Sequence, residues 1–137
     1  MSDWSEFVEG YLTGVVLRDK DRAVDIYLSD CSHRKHTLTA FGVKEMRVWE
    51  MRQKNIIDRI SLWNSSSCES EYQERISFLL YGEQSDKNRV SPLRKVAVEN
   101  AIQSIRDGNM ILMEIEPVYG ALVLIQAERV TIYPQQL

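Results

Sequence analysis

Apolar and polar residues alternate over short stretches through the first half of the chain. Val24, Ile26 and Leu28 interleave with Asp25, Tyr27 and Ser29, the period-two signature of a strand with one buried face. "YLTGVVLR" at 11–18 and "HTLTAF" at 36–41 predict strands on either side of it, separated by the polar stretches "DKDR" and "SDCSHRK". Residues 43–51 carry two rows, Met46, Val48 and Glu50 on one face and Arg47, Trp49 and Met51 on the other. After "RQKN", residues 55–63 place Ile56, Asp58, Ile60 and Leu62 on one face and Ile57, Arg59, Ser61 and Trp63 on the other. The short connections predict a meander of about five antiparallel strands over 11–63, with 43–51 and 55–63 as a hairpin. A short helix at 2–9, with Trp4, Phe7, Val8 and Tyr11 at helical spacing and Ser2 or Asp3 as its cap, is expected to precede it.

The period changes after the Ser-rich stretch 64–70. Ser70 and Gln73 have capping-box spacing, Ile76, Leu79 and Leu80 form an apolar stripe, and Gly82 ends the helix they predict. "EQSDKNR" at 83–89 reads as a solvated loop. Ser91 caps and Pro92 opens a second helix, with Leu93, Val96, Ala97, Ala101 and Ile105 as its buried stripe and Asp107–Gly108 as its stop. "MILMEIEP" at 110–117 returns to strand, 117–120 turns, "ALVLIQAE" has the continuous apolarity of a strand covered on both faces, and "RVTIY" adds a last short strand. Strands, then helices, then strands define an α+β fold. The expected form is a half-barrel-like antiparallel sheet with two main helices packed on one side, in one domain spanning 1–137.

Composition narrows the functions this fold can serve. Hydrophobic residues make up 44% and charged residues 27% of 137 residues, enough apolar content for a packed core without disulfides or metal. The net charge of -3 and pI of about 5.4 argue against a general nucleic-acid binder and favour a basic partner. No apolar run approaches the roughly 20 residues of a membrane span. "MSDWSEFVEG" lacks the features of a signal peptide, so a cytoplasmic protein with reduced Cys31 and Cys68 is expected.

The candidate chemistry is sparse. Cys31, His33 and His36 share a loop, but C-x-H-x-x-H, even with Cys68, is not the spacing of a zinc knuckle, and no metal or cofactor is expected. There is no nucleophile elbow, P-loop, HExxH or GxGxxG, which points away from an enzyme. Arg47, Arg52, Lys54 and Arg59 flank Trp49 and Trp63 as an RNA-binding surface would, but Glu45, Glu50 and Asp58 nearly cancel their charge. Asp58 breaks an apolar face, and a buried carboxylate needs a partner, so a structural ion pair with Arg47, or capping by backbone donors of a neighbouring loop, is expected rather than a catalytic acid. Glu69, Glu71 and Glu74 gather at a helix start. Asp19, Asp21, Asp25 and Asp30 form a second acidic group that the alternation places in solvent.

The runs "AFGVKEMRVWEMRQKNIIDRISLW" at 40–63 and "EIEPVYGALVLIQAERVTIY" at 114–133 carry a turn in "AFGV", a strand start in "NII" and a turn in "PVYGA". In these features the chain resembles small bacterial immunity proteins that neutralise the C-terminal toxin domains of contact-dependent growth inhibition systems. The resemblance implies a non-enzymatic cytosolic inhibitor, a monomer or weak homodimer, that occludes one cognate toxin, commonly a basic nuclease. Glu69, Glu71, Glu74, Asp19 and Asp21 are the candidate contacts by charge. A second expectation, from another class, is a small-ligand domain with a cavity between sheet and helices lined by Trp49, Trp63 and Arg47.

Overall fold

The structure, a computed structural model, describes residues 4–82 and 91–134. The predicted caps Ser2 and Asp3 and the loop 83–89 lie outside the described residues. The strands are β1 (Tyr11–Arg18), β2 (Ala23–Ser29), β3 (Lys35–Phe41), β4 (Glu45–Trp49), β5 (Asn55–Trp63), β6 (Ile111–Tyr119), β7 (Leu122–Ala127) and β8 (Arg129–Pro134). The helices α1 (Gln73–Tyr81) and α2 (Pro92–Arg106) fall between β5 and β6, and the expected N-terminal helix is a single 3-10 turn, Ser5–Phe7.

All eight strands join one antiparallel sheet in the order β4-β7-β6-β5-β1-β2-β3-β8, an α+β architecture whose two edges, β4 and β8, leave it open. β1, β2 and β3 form the expected meander, but the hairpin expected next does not form. β4 pairs with β7, while β5 pairs with β1 and β6. Asn55, 3% exposed, takes over the chain reversal. Its Oδ1 accepts from the Arg52 and Ala121 N–H groups, and its Nδ2 donates to the Leu12 and Arg52 carbonyls. A side chain satisfying backbone of β1, the β4–β5 loop and the β6–β7 turn holds three segments together where a hairpin would join two.

One residue, Glu128, separates β7 from β8, although the two lie far apart in the sheet order. β3 pairs with β8 and β4 with β7, so 35–49 and 122–134 form one long bent ribbon. At the bend the Glu128 N–H donates to the Phe41 carbonyl and the Lys44 N–H to that of Gln126, each at 2.9 Å. Gly42 makes the corner possible. Its φ is +62°, and a Cβ there would collide with the Glu128 carboxyl.

The bend gives the sheet two cores. Its inner face is filled by Ile26, Leu38, Ile57, Met113, Ile115 and Val123 with their neighbours. On its outer face Trp63, Leu112 and Leu124 meet Tyr72, Ile76, Leu79, Ala101, Ile102 and Ile105 from the helical segment. β6 and β7 feed both cores with alternate residues, which explains the continuous apolarity of β7.

Several local expectations are corrected. α1 starts at Gln73 with Tyr72 at its N-cap and no side-chain cap bond, because Ser70 lies in a preceding 3-10 turn, Glu69–Glu71, with its hydroxyl 3.1 Å from Cys68 Sγ. α2 does begin as expected, the Ser91 hydroxyl accepting from the Arg94 N–H at 3.3 Å. Its packed face is Val98, Ala101, Ile102 and Ile105. Leu93 and Val96 are 85% and 52% exposed because the first turns stand clear of the outer core. β6 continues through Pro117 to Tyr119, so the turn is shorter than expected.

Asp58 is out of register. Ile57 faces Pro117 and Arg59 faces Glu116, so Asp58 is an extra residue in β5. Pro117 has no N–H for the ladder, which favours a break in pairing there. The bulge flips the face parity predicted for 55–63 and lets Ile57 and Ile60 both enter the inner core. The Asp58 side chain is left 45% exposed, 3.7 Å from Arg59 Nε.

Candidate functional site

The helical register of α1 turns Glu74, Arg75 and Phe78 toward the outer face of the sheet. With Glu114 of β6 and Leu122 and Leu124 of β7 they line a cleft of about 300 Å³. The pleat places Glu114 on this face between Leu112, which the helices cover, and Glu116, which pairs with Arg59 at 3.2 Å. The Glu114 side chain is 7% exposed.

Arg75 meets Glu114 with a 3.0 Å bond from Nε to Oε1. The same guanidinium donates to the Glu71 carbonyl at 2.6 Å and lies 4.8 Å from the centre of the Trp63 ring. These three contacts fix its plane. Burial nevertheless pushes the Glu114 carboxyl above its ordinary value, against the opposing hydrogen bond and charge of Arg75. The site holds two carboxylates, Glu74 and Glu114, and one cation over a floor of Phe78, Leu122 and Leu124. Such an arrangement is complementary in shape and charge to a cation with an aliphatic stem. Next to it, Trp49 stands edge-on to Phe78 at 6.0 Å, and Arg47 donates from Nε to the Leu79 carbonyl at 3.2 Å.

A second buried carboxylate occupies the other region of interest. Asp30 Oδ1 accepts from the Ser32 and Arg34 N–H groups, and Oδ2 lies 2.9 Å from His36 Nε2. The hydrogen bond with His36 and then the two backbone donors hold its pKa below the ordinary value, outweighing burial. His36 packs edge-on to Phe7 at 5.0 Å, and the Cys31 N–H donates to the Glu6 carbonyl. Glu6, Asp30 and His36 bring potential metal ligands within 4.8 Å of one another, the closest approach to a metal set among the described residues. Asp30 is already satisfied by three protein donors, so the cluster works as a latch between the Ser5–Phe7 turn and the β2–β3 loop.

Of the residues singled out by sequence, Glu71 and Glu74 are exposed beside the cleft, and Glu69 forms an ion pair with Arg106. Asp19 and Asp21 are exposed at the β1–β2 turn. Asp25 is partly engaged by Arg18 and Thr39, and Asp30, expected in solvent, is 4% exposed. The expected pairing of Asp58 with Arg47 is absent, because the Arg47 side chain of β4 reaches the Leu79 carbonyl of α1 and Asp58 lies on a bulge beside Arg59. The other basic residues of that stretch are separately engaged, Arg52 over Tyr119 and Lys54 over Tyr11. Cys31 and Cys68 are exposed free thiols, and His33 stacks on Tyr11, so the Cys-His group does not assemble. Sequence reasoning missed Glu114 and Arg75. The signal for Glu114 was the one used for Asp58, a carboxylate inside an apolar strand.

No protein-family model matches the chain, and no curated protein matches it. Among solved structures, an uncharacterized protein from Neisseria gonorrhoeae has a similar fold, with a TM-score of 0.51 over 94% of each chain at 8% identity. At that identity the likeness concerns the fold alone. No described helix is long and apolar enough to cross a membrane.

Proposed function

We propose that the protein is a non-enzymatic inhibitor that binds a basic protein and occludes it, as an immunity protein does with its cognate toxin domain. The observation that carries this reading is the grouping of exposed Glu71 and Glu74 beside a cleft holding Glu114. A chain of net charge -3 that concentrates acidic groups around a concavity suits a partner that is basic because it grips nucleic acid. Arg and aromatic residues, Arg47, Trp49 and Phe78, adjoin the same surface, a composition typical of interface centres. The chain acts in the cytoplasm on this reading, as a monomer or weak homodimer.

The alternative of an interior ligand cavity has less support. Side chains fill the inner face of the sheet, and the cleft on its outer face is not lined by Trp49, Trp63 or Arg47. The test is to read the neighbouring upstream gene and, where it encodes a large secreted protein, to co-express this chain with that protein's C-terminal domain. Restored growth and a stoichiometric complex are expected. Killing that proceeds unchanged, or a neighbouring gene with no toxic domain, overturns the reading.

A further inference from the structure

We infer that the cleft under α1 is the socket for one lysine or arginine side chain of the basic partner, with Phe78, Leu122 and Leu124 holding its stem and Glu74 and Glu114 its charged head. The inference rests on the reading of the chain as a binder of a basic protein and adds the place and chemistry of the central contact.

Three features carry it. The cleft is amphipathic in the manner of these side chains, with apolar floor and anionic groups in one concavity of about 300 Å³. Its charge is incomplete, since Glu74 and Glu114 face Arg75 alone among the lining residues, and Arg75 Nε bonds one Glu114 oxygen, Oε1. Arg75 is itself held by the Glu71 carbonyl and the Trp63 ring, so it forms a fixed wall and leaves the cleft open. The raised pKa of Glu114 agrees, because burial outweighs the hydrogen bond and charge of Arg75 and the smaller effect of Arg59 outside the cleft. A second cation in the cleft would complete the compensation. A bound carboxylate would add a third negative charge.

The test uses the full chain with leucine methyl groups labelled for NMR, and n-butylammonium as the probe, since it reproduces the lysine side chain. Butanoate and n-butanol serve as anionic and neutral comparators of similar length. The ammonium ion is expected to shift the Leu122 and Leu124 methyls saturably in the millimolar range, and the comparators are expected not to saturate. Glu114→Gln should abolish saturation, and Glu74→Gln should weaken it about threefold, as for an exposed charge. Glu99→Gln, exposed on α2 and outside the cleft lining, should leave it unchanged. If Glu114→Gln does not fold, the comparator series and Glu74→Gln decide. Binding of butanoate or butanol as strong as that of the ammonium ion, or absence of saturation, overturns the socket. A toxin complex that forms without ammonium binding removes the socket and keeps the inhibitor reading. Ammonium binding without a toxin complex removes the inhibitor reading and keeps the cation preference of the cleft.

Discussion

Asp30 and Glu114 are both carboxylates withdrawn from water, 4% and 6% exposed, yet their acidities move in opposite directions. Asp30 sits in a loop, where two backbone N–H groups and His36 converge on it. Glu114 sits mid-strand, where its neighbours' backbone groups belong to the ladder and one guanidinium reaches it from α1. A loop can bend its own donors around a carboxylate, whereas a strand cannot. On the proposed reading, a structural acid is thereby told apart from one kept ready for a partner. The first has its donors supplied by the fold, and the second is left short of them.

The contrast is most vulnerable at Asp30. Asp30→Ala strips an acceptor from three donors at once, so its melting midpoint should fall further than that of variants at Glu114 or Asp58. A midpoint equal to wild type would refute the latch. Next in size is the charge reversal of Glu69, Glu71 and Glu74 to lysine. Association with a basic toxin domain at low salt should slow by about an order of magnitude. Stopped-flow rates that match wild type would remove this surface from the interface.

The acid side of the stability curve separates the two groups further. Because burial raises Glu114, the folded state holds its proton more tightly than the unfolded state does. Stability from this group is therefore present below the unfolded value and lost as pH rises through the folded one. Asp30 behaves oppositely, contributing above its unfolded value and losing that contribution as pH falls through the lowered folded one. Glu114→Gln should erase the first component and change stability at neutral pH by no more than about 1 kcal/mol. Denaturant midpoints measured across mildly acidic pH check this, and a variant as pH-sensitive as wild type in that range contradicts it. The smallest effect belongs to Asp58. With 45% of its side chain exposed, Asp58→Ala should stay within about 0.5 kcal/mol of wild type in chemical denaturation. A larger loss would restore the buried pair that the bulge rules out.

The α+β class, the order of the elements and the limits of most strands were legible from periodicity, because alternation and helical stripes report local burial. The sheet order was not. Nothing in "RQKN" announces that Asn55 will bond across three segments instead of closing a hairpin, and a ribbon bent at Gly42 and Glu128 depends on contacts distant in sequence. The Asp58 bulge was hidden for a similar reason, since its cause, Pro117, lies on another strand. Of the candidate site, Glu71 and Glu74 were visible as acidic residues at a helix start. The cleft beside them was not visible, because it needs α1 laid over β6 and β7 to bring Arg75 to Glu114.

The most direct measurement is a carbon-detected NMR titration of the Glu114 side-chain carboxyl, with and without saturating n-butylammonium. A carboxylate left short of donors should titrate above the ordinary glutamate value of 4.5 in the free protein, and its midpoint should fall clearly when the cation occupies the cleft. A free-protein midpoint at or below the ordinary value, or one that the cation does not move, would contradict a carboxylate held ready for a cationic partner.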